Sequence, residues 1–271
     1  EEAFRLWHRT SYLPELCGNL CQNETMCEGA CTLNKLNKPI KIGEIEAALA
    51  ERFRTEVSIP KQRIHHKHLV IGLGPAGMAN ALKMAEAGYD VSAIDANASL
   101  GGTVYNLVPE FRFDKTILSA IELKIDKLGI KVQYNTLVGK DVLLPDLLTQ
   151  FDTVFIADGA GLPSNADIEV DNLPVYYAQD LLNRSLYTAN DLQQMLGETC
   201  FVVGLGNVAI DIARTLIRLG KKVHIAYRRT ISKAPAGPSE IEAALHEGVI
   251  IHDLVAPVHL IKEGVHHRLT C

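Results

Sequence analysis

From about residue 67 the chain alternates short apolar runs with amphipathic stretches, a rhythm that predicts parallel strands joined by crossover helices. The apolar runs are "HLVIG" (68–72), "YDVSAID" (89–95), "IKVQYN" (130–135), "DTVFIAD" (152–158), "TCFVVG" (199–204) and "KKVHIAY" (221–227). Helices are expected over 75 to 87 and 207 to 219, each directly after a strand, so strand and helix recur twice in one order. The last residues, "HLIKEGVHHRLTC", read as strand, turn and an unfinished strand.

Residues 1 to about 64 follow a different pattern. "EEAFRLWHRTSYLPEL" looks helical, and in "PIKIGEIEAALAERFRTE" the apolar positions Ile42, Ile45, Leu49 and Phe53 keep a helical period. The polar, proline-bearing "SIPKQRIHHKH" then reads as a solvated linker, and His65, His66 and His68 lack the second ligand group a metal site needs.

Composition narrows the class. With 47% apolar residues in 271, the chain buries real cores in two or three small domains. A formal charge of -5 provides no basic stripe and argues against general nucleic-acid binding. No apolar run reaches the length of a membrane span and no signal segment opens the chain, so a cytoplasmic location is expected. Because the chain starts at Glu1 without an initiator Met, it is expected to be a piece of a longer polypeptide.

Two glycine loops carry the chemistry. In "VIGLGPAGMANALKMAEAGYDVSAID", Gly72, Gly74 and Gly77 form G-x-G-x-x-G around Pro75 and Ala76, between a strand and a helix, with Asp95 ending the next strand. The first glycine permits a tight turn, the second lets a pyrophosphate approach the backbone, and the third lets helix and strand pack closely. The helix start offers free N–H groups to that pyrophosphate, and a terminal acid accepts hydrogen bonds from a ribose diol. In "FVVGLGNVAIDIARTLIRLGKKVHIAYRR", Gly204, Gly206 and Ala209 repeat the loop around Asn207 and Val208 as G-x-G-x-x-A. The register matches, but the position of Asp95 falls at Tyr227, and Arg228 and Arg229 follow. Guanidinium groups hold a 2′-phosphate that an acid would repel, so this second site is expected to prefer NADPH; the alternative is two solvated arginines at a strand end. Two such sites imply one for FAD and one for the hydride donor, and a flavin also releases electrons singly.

Four of the six cysteines lie in "CGNLCQNETMCEGAC", spaced C-x3-C-x5-C-x3-C. Cys17 and Cys21 are four apart, as are Cys27 and Cys31, so each pair fits one helical face or one turn-rich loop. Zinc, disulfides and iron-sulfur clusters all remain open on spacing, although a reducing compartment disfavours disulfides. Cys200, opening an apolar strand, reads as a buried small hydrophobe.

Together, "LCGNLCQNETMCEGAC", "PIKIGEIE", "GLGPAG", "LGGTVYNLVPEFRFDK", "GLGNVAID", "AYRR" and "PSEIEAALHEGV" resemble the NADPH-dependent glutamate synthase small chain and the electron-input half of dihydropyrimidine dehydrogenase. The resemblance runs over essentially the whole chain. It implies an NAD(P)H-dependent oxidoreductase that oxidises NADPH at FAD and passes electrons through two [4Fe-4S] clusters to an active site on a partner subunit or domain. It also implies Cys21 and Cys27 as ligands of one cluster, Cys31 of the other, Cys17 as a further thiol, and Glu46 as an unusual fourth ligand. Gly101, Gly102 and Arg112 match positions beside the flavin; Glu240 and Glu242 fall in a family-like stretch and would otherwise be solvated helix acids.

Against the family pattern, an upstream cysteine segment and a late flavin segment are missing, and Asp158 stands where relatives have a small or hydroxyl residue. The alternative is therefore a truncated, non-catalytic paralogue acting as a scaffold. The expected fold is α/β: a small all-α iron-sulfur domain (1–66, partial), an FAD-binding Rossmann-like domain (67–170) and an NADPH-binding one (171–271, truncated).

Overall fold

The structure, a computed structural model, describes residues 1–161, 163, 168–171, 173–263 and 266–271. It divides into two compact units, Glu1–Gly161 and Leu162–Cys271.

The first unit opens with α1 (Glu2–His8), α2 (Pro14–Leu20), a 3-10 turn (Thr32–Leu36) and α3 (Ile42–Phe53). The expected single helical stretch at the start is thus two helices, because Pro14 lacks an N–H and starts a new helix at its first position. The face of α3 also differs from the periodicity. Gly43, Glu46 and Ala50 are its buried residues, whereas Ile45 is 42% exposed. Small residues decide the matter: a Cβ on Gly18 of α2 would lie 2.5 Å from the Ala47 nitrogen, so α2 and α3 touch through backbone.

There follow β1 (Lys67–Ile71), α4 (Pro75–Glu86), β2 (Asp90–Ile94), α5 (Thr103–Asn106), α6 (Thr116–Leu128), β3 (Lys131–Gln133), α7 (Leu144–Gln150) and β4 (Thr153–Ile156). The strands form one parallel sheet in the order β3-β2-β1-β4. Strand β1 feeds cores on both faces, Val70 packing with Met78 and Ile121 while Leu69 and Ile71 pack with Leu147. Leu13 and Leu16 belong to the first of these cores, so α2 is rooted in the nucleotide-type fold. The root is also ionic: Lys124 of α6 donates to Glu15 of α2 at 2.7 Å, their side chains 1% and 3% exposed. His68 corrects the linker reading, since it is a buried residue of β1, bonded to Thr153 Oγ1 and Asn80 Oδ1 at 2.7 Å each. His65 and His66 are exposed.

The second unit comprises β5 (Glu169–Val170), α8 (Ala178–Leu182), α9 (Ala189–Met195), β6 (Thr199–Val203), α10 (Asn207–Arg218), β7 (Lys222–Tyr227), a 3-10 turn (Ile231–Lys233), α11 (Pro238–His246), β8 (Ile250–Asp253), β9 (His259–Glu263) and β10 (His266–Thr270). Strands β6-β7-β8 form a parallel sheet, and β10-β9-β5 a second sheet in which β9 and β10 are antiparallel. The expected turn between β9 and β10 lies outside the described residues. Ile210, Ile212, Ala213 and Leu216 seat α10 on the parallel sheet, their spacing forming one helical stripe. Cys200 packs half-buried at the edge of this core, and burial raises its thiol above the ordinary range. Glu240 is not a solvated acid: it accepts from Arg214 of α10 at 2.8 Å, and Glu247 does the same. Burial works against the Arg214 charge, but these carboxylates outweigh it and hold the group above its usual value. No helix among the described residues is long and apolar enough to cross a membrane.

Candidate functional site

The first glycine loop joins β1 to α4. Gly72 has φ +92°, where a Cβ would meet the Ala157 carbonyl oxygen at 2.4 Å. A Cβ on Gly77 would lie 1.8 Å from the Gly72 carbonyl oxygen, so only glycine lets α4 start this close to the strand. Gly74, by contrast, faces open space, with nothing within 4 Å of its Cβ position. It is the N-cap of α4 and supplies no side-chain cap; with Pro75 next, the first-turn N–H groups of Ala76 and Gly77 remain for a ligand. The pair Gly101 and Gly102 closes over this loop. Gly101 N–H donates to the Leu73 carbonyl at 2.8 Å, and a Cβ on Gly102 would stand 2.9 Å from Gly74 Cα. Arg112 lies half-buried just after a turn that begins at Pro109, and Asp158 is exposed beyond β4.

Asp95 follows β2, is 4% exposed, and turns inward. One carboxylate oxygen accepts from Leu73 N–H at 2.6 Å, inside the glycine loop. The other accepts from the Asn97 backbone at 2.7 Å and from its side-chain Nδ2 at 2.9 Å. Sequence register found Asp95, but nothing in spacing pointed to Asn97.

In the second loop Gly204 has φ +106°, Gly206 caps α10 with open space around its Cβ position, and Ala209 is buried beneath the helix start. Asn207 and Val208 form the first turn of α10, half-buried and exposed respectively. Tyr227, standing where the first site has its acid, is buried and donates its hydroxyl to the Lys233 carbonyl at 2.7 Å. That bond pins the turn carrying Arg228 and Arg229, both exposed.

The cysteines fall into two environments. Cys17 sits in α2, and Cys21 is its C-cap, donating N–H to the Cys17 carbonyl at 3.2 Å. Burial, then the charges of Cys21 and Glu46, push the Cys17 thiol up to about 12. Burial raises Cys21 as well. Glu46 of α3 is buried between Trp7 Nε1 (2.9 Å) and Ser11 Oγ (2.6 Å), both of which donate to one of its oxygens. Cys27, exposed, donates to Asn23 Oδ1 at 3.4 Å. Cys31 is the opposite of Cys17: backbone N–H groups of Ile40, Leu33 and Asn34 aim at its sulfur and hold it below the ordinary thiol range. Glu28, which sequence reasoning missed, is buried and accepts from Gly43 N–H at 3.0 Å, tying the cysteine loop to the start of α3. Among the described residues no three of His, Cys, Asp or Glu are gathered to hold a metal.

Residues 66–256 match the pyridine nucleotide-disulphide oxidoreductase family, and residues 1–58 match the family described as dihydropyrimidine dehydrogenase domain II, 4Fe-4S cluster. The glutamate synthase (NADPH) small chain of Escherichia coli (strain K12) is 32% identical over 97% of this chain and 59% of its own length. The NAD-dependent dihydropyrimidine dehydrogenase subunit PreT of the same organism is 30% identical over 91% of this chain and 60% of its own. The chain thus spans about three fifths of these relatives. FprA from Mycobacterium tuberculosis in complex with NADPH shares the fold, with TM-score 0.58 and 18% identity over 76% of this chain and 67% of that one.

Proposed function

The chain belongs to the pyridine nucleotide-disulphide oxidoreductase family, and on that premise we propose that it is an electron-input module, moving electrons from NADPH through FAD toward [4Fe-4S] clusters and a partner's active site. The observation that carries the reading is the paired loops: Gly74 and Gly206 each open onto free space at an uncapped helix start, while the strands that follow end in opposite chemistry. Bound flavin would supply the two-electron acceptor that also releases electrons one at a time.

The chain's own part is positioning. Gly72, Gly74, Pro75, Ala76 and Gly77 present the first-turn N–H groups to a pyrophosphate, with Asp95 behind them and Gly101, Gly102 and Arg112 bordering the flavin side. Gly204, Gly206, Asn207, Val208 and Ala209 do the same for the nicotinamide dinucleotide, and Arg228 and Arg229, exposed on their pinned turn, take its 2′-phosphate. Cys21, Cys27, Cys31 and Glu46, with Cys17 as a further thiol, are the ligands the chain brings to the clusters, other polypeptide completing the sets. The amide nest at Cys31 favours the thiolate that ligation needs, whereas Cys17 keeps its proton.

The decisive experiment is an anaerobic titration of the FAD-loaded protein with NADPH and NADH, followed by loss of the yellow flavin absorbance. NADPH should bleach it at lower concentration, and R228A/R229A should cut the NADPH preference about tenfold or more, about 1.4 kcal/mol. A protein that binds no flavin, or an unchanged preference in the double variant, removes the corresponding half of the reading.

A further inference from the structure

Glu46 is a buried carboxylate of α3, 7% exposed, and its two oxygens stand in different surroundings. Trp7 Nε1 of α1 donates to Oε1 at 2.9 Å, and Ser11 Oγ donates to the same atom at 2.6 Å. Oε2 accepts no hydrogen bond among the described residues and is not sealed from solvent, unlike Oε2 of Glu15. The carboxylate also stands beside the thiols: its charge acts on both Cys17 and Cys21, and Ser11 hydrogen-bonds Cys17 as well. The two donors arrive as one unit, because the Trp7 carbonyl accepts the Ser11 N–H at 3.1 Å and so places the hydroxyl. Seating α1 on α3 does not need these bonds. Phe4, 5% exposed, stacks on Phe53 of α3 with ring centroids 5.1 Å apart and supplies an apolar anchor.

A free carboxylate rotates and offers two equivalent oxygens, so it can bind a metal through either or both. Two donors on one oxygen remove that choice. They fix the plane, draw charge toward Oε1 and leave Oε2 as a single ligating atom, as the hydrogen-bonding partners of metal-bound carboxylates do.

We propose that Trp7 and Ser11 are positioning residues for iron ligation by Glu46, fixing its carboxylate so that Oε2 alone is offered to a cluster and weakening it as a donor. The inference rests on reading Glu46 as a cluster ligand. A weaker oxygen donor stabilises the oxidised cluster less, so the two bonds raise its reduction potential.

The test is a redox titration of the cluster-loaded holoprotein, followed by electron paramagnetic resonance of the reduced clusters, for wild type, Trp7→Phe, Ser11→Ala, Ser11→Thr and Glu46→Ala. Glu46→Ala should move or abolish one cluster signal. Trp7→Phe and Ser11→Ala should each shift that cluster about tenfold toward the oxidised form at a fixed potential, about 59 mV downward for one electron, and Ser11→Thr should restore it. In the cluster-free chain Trp7 is the single tryptophan, and its emission maximum should move in Glu46→Ala. An unmoved maximum overturns the contact. Potentials that respond to Glu46→Ala but not to Trp7→Phe and Ser11→Ala overturn the inference, even where those variants lower the unfolding midpoint, since that pattern marks a tie of the fold alone. Signals indifferent to Glu46→Ala, or a holoprotein that holds no cluster, overturn instead the reading of Glu46 as a ligand. Should Trp7→Phe not fold, the Ser11 pair decides alone.

Discussion

Cys17 and Cys31 lie fourteen positions apart in the same short segment, yet their sulfurs face opposite physics. Desolvation and neighbouring negative groups keep a proton on the first, while three backbone N–H groups ease it off the second. At pH 7.5 iodoacetamide should therefore modify Cys31 well before Cys17, read by peptide mass spectrometry; equal rates would contradict the two environments. The sign for stability follows from the same contrast. An unfolded chain loses the Cys17 proton near its ordinary 9.0, whereas the folded chain keeps it to about 12, so this contribution is complete below 9 and fades as pH climbs through that window. Spacing alone disclosed the cysteines and every glycine of the two loops, because loop geometry demands those residues at those intervals. It did not disclose which way Asp95 turns, or that Glu28 anchors the cysteine loop, since both depend on backbone N–H groups delivered by distant parts of the chain.

Elements were legible where period and punctuation agreed. Helices α4 and α10 and their flanking strands fall where the apolar rhythm placed them, ending one residue earlier than expected. Helix α3 also falls where its period placed it, but Ile45 is exposed, because the contact with α2 runs through Gly18 and Ala47, which carry almost no hydropathy signal. The joint between α2 and α6 is likewise hidden: a lysine in a helix reads as surface, but Lys124 is 1% exposed and bonded to Glu15. Removing one partner leaves a buried charge uncompensated, so Lys124→Ala should cost about 3–5 kcal/mol in denaturant unfolding, and Glu15→Ala a comparable amount. The double replacement Lys124→Met with Glu15→Leu should recover most of it. Additive losses in that double variant would show the ion pair to be incidental.

Across the whole molecule, the two units have separate cores, one built around Val70, Met78 and Ile121 and the other around Ile210, Val223 and Ile225. Scanning calorimetry should resolve two transitions, the first unit's midpoint rising with FAD and the second's with NADP+; a single transition moved equally by both would refute independent stabilisation. The general α/β class was open to sequence reading because parallel strands and crossover helices leave a period. How far the cysteine segment merges with the sheet that follows it was not, since Leu13, Leu16 and Glu15 look in sequence like any amphipathic turn.

That merger bears on heredity. A descendant gene shedding its first sixty or so codons would lose Leu13 and Leu16 from the core around Val70 and Ile121 and leave Lys124 without Glu15, so the face they cover would meet water. Lineages lacking the leading segment should therefore carry polar replacements among the apolar residues that Leu13 and Leu16 now cover.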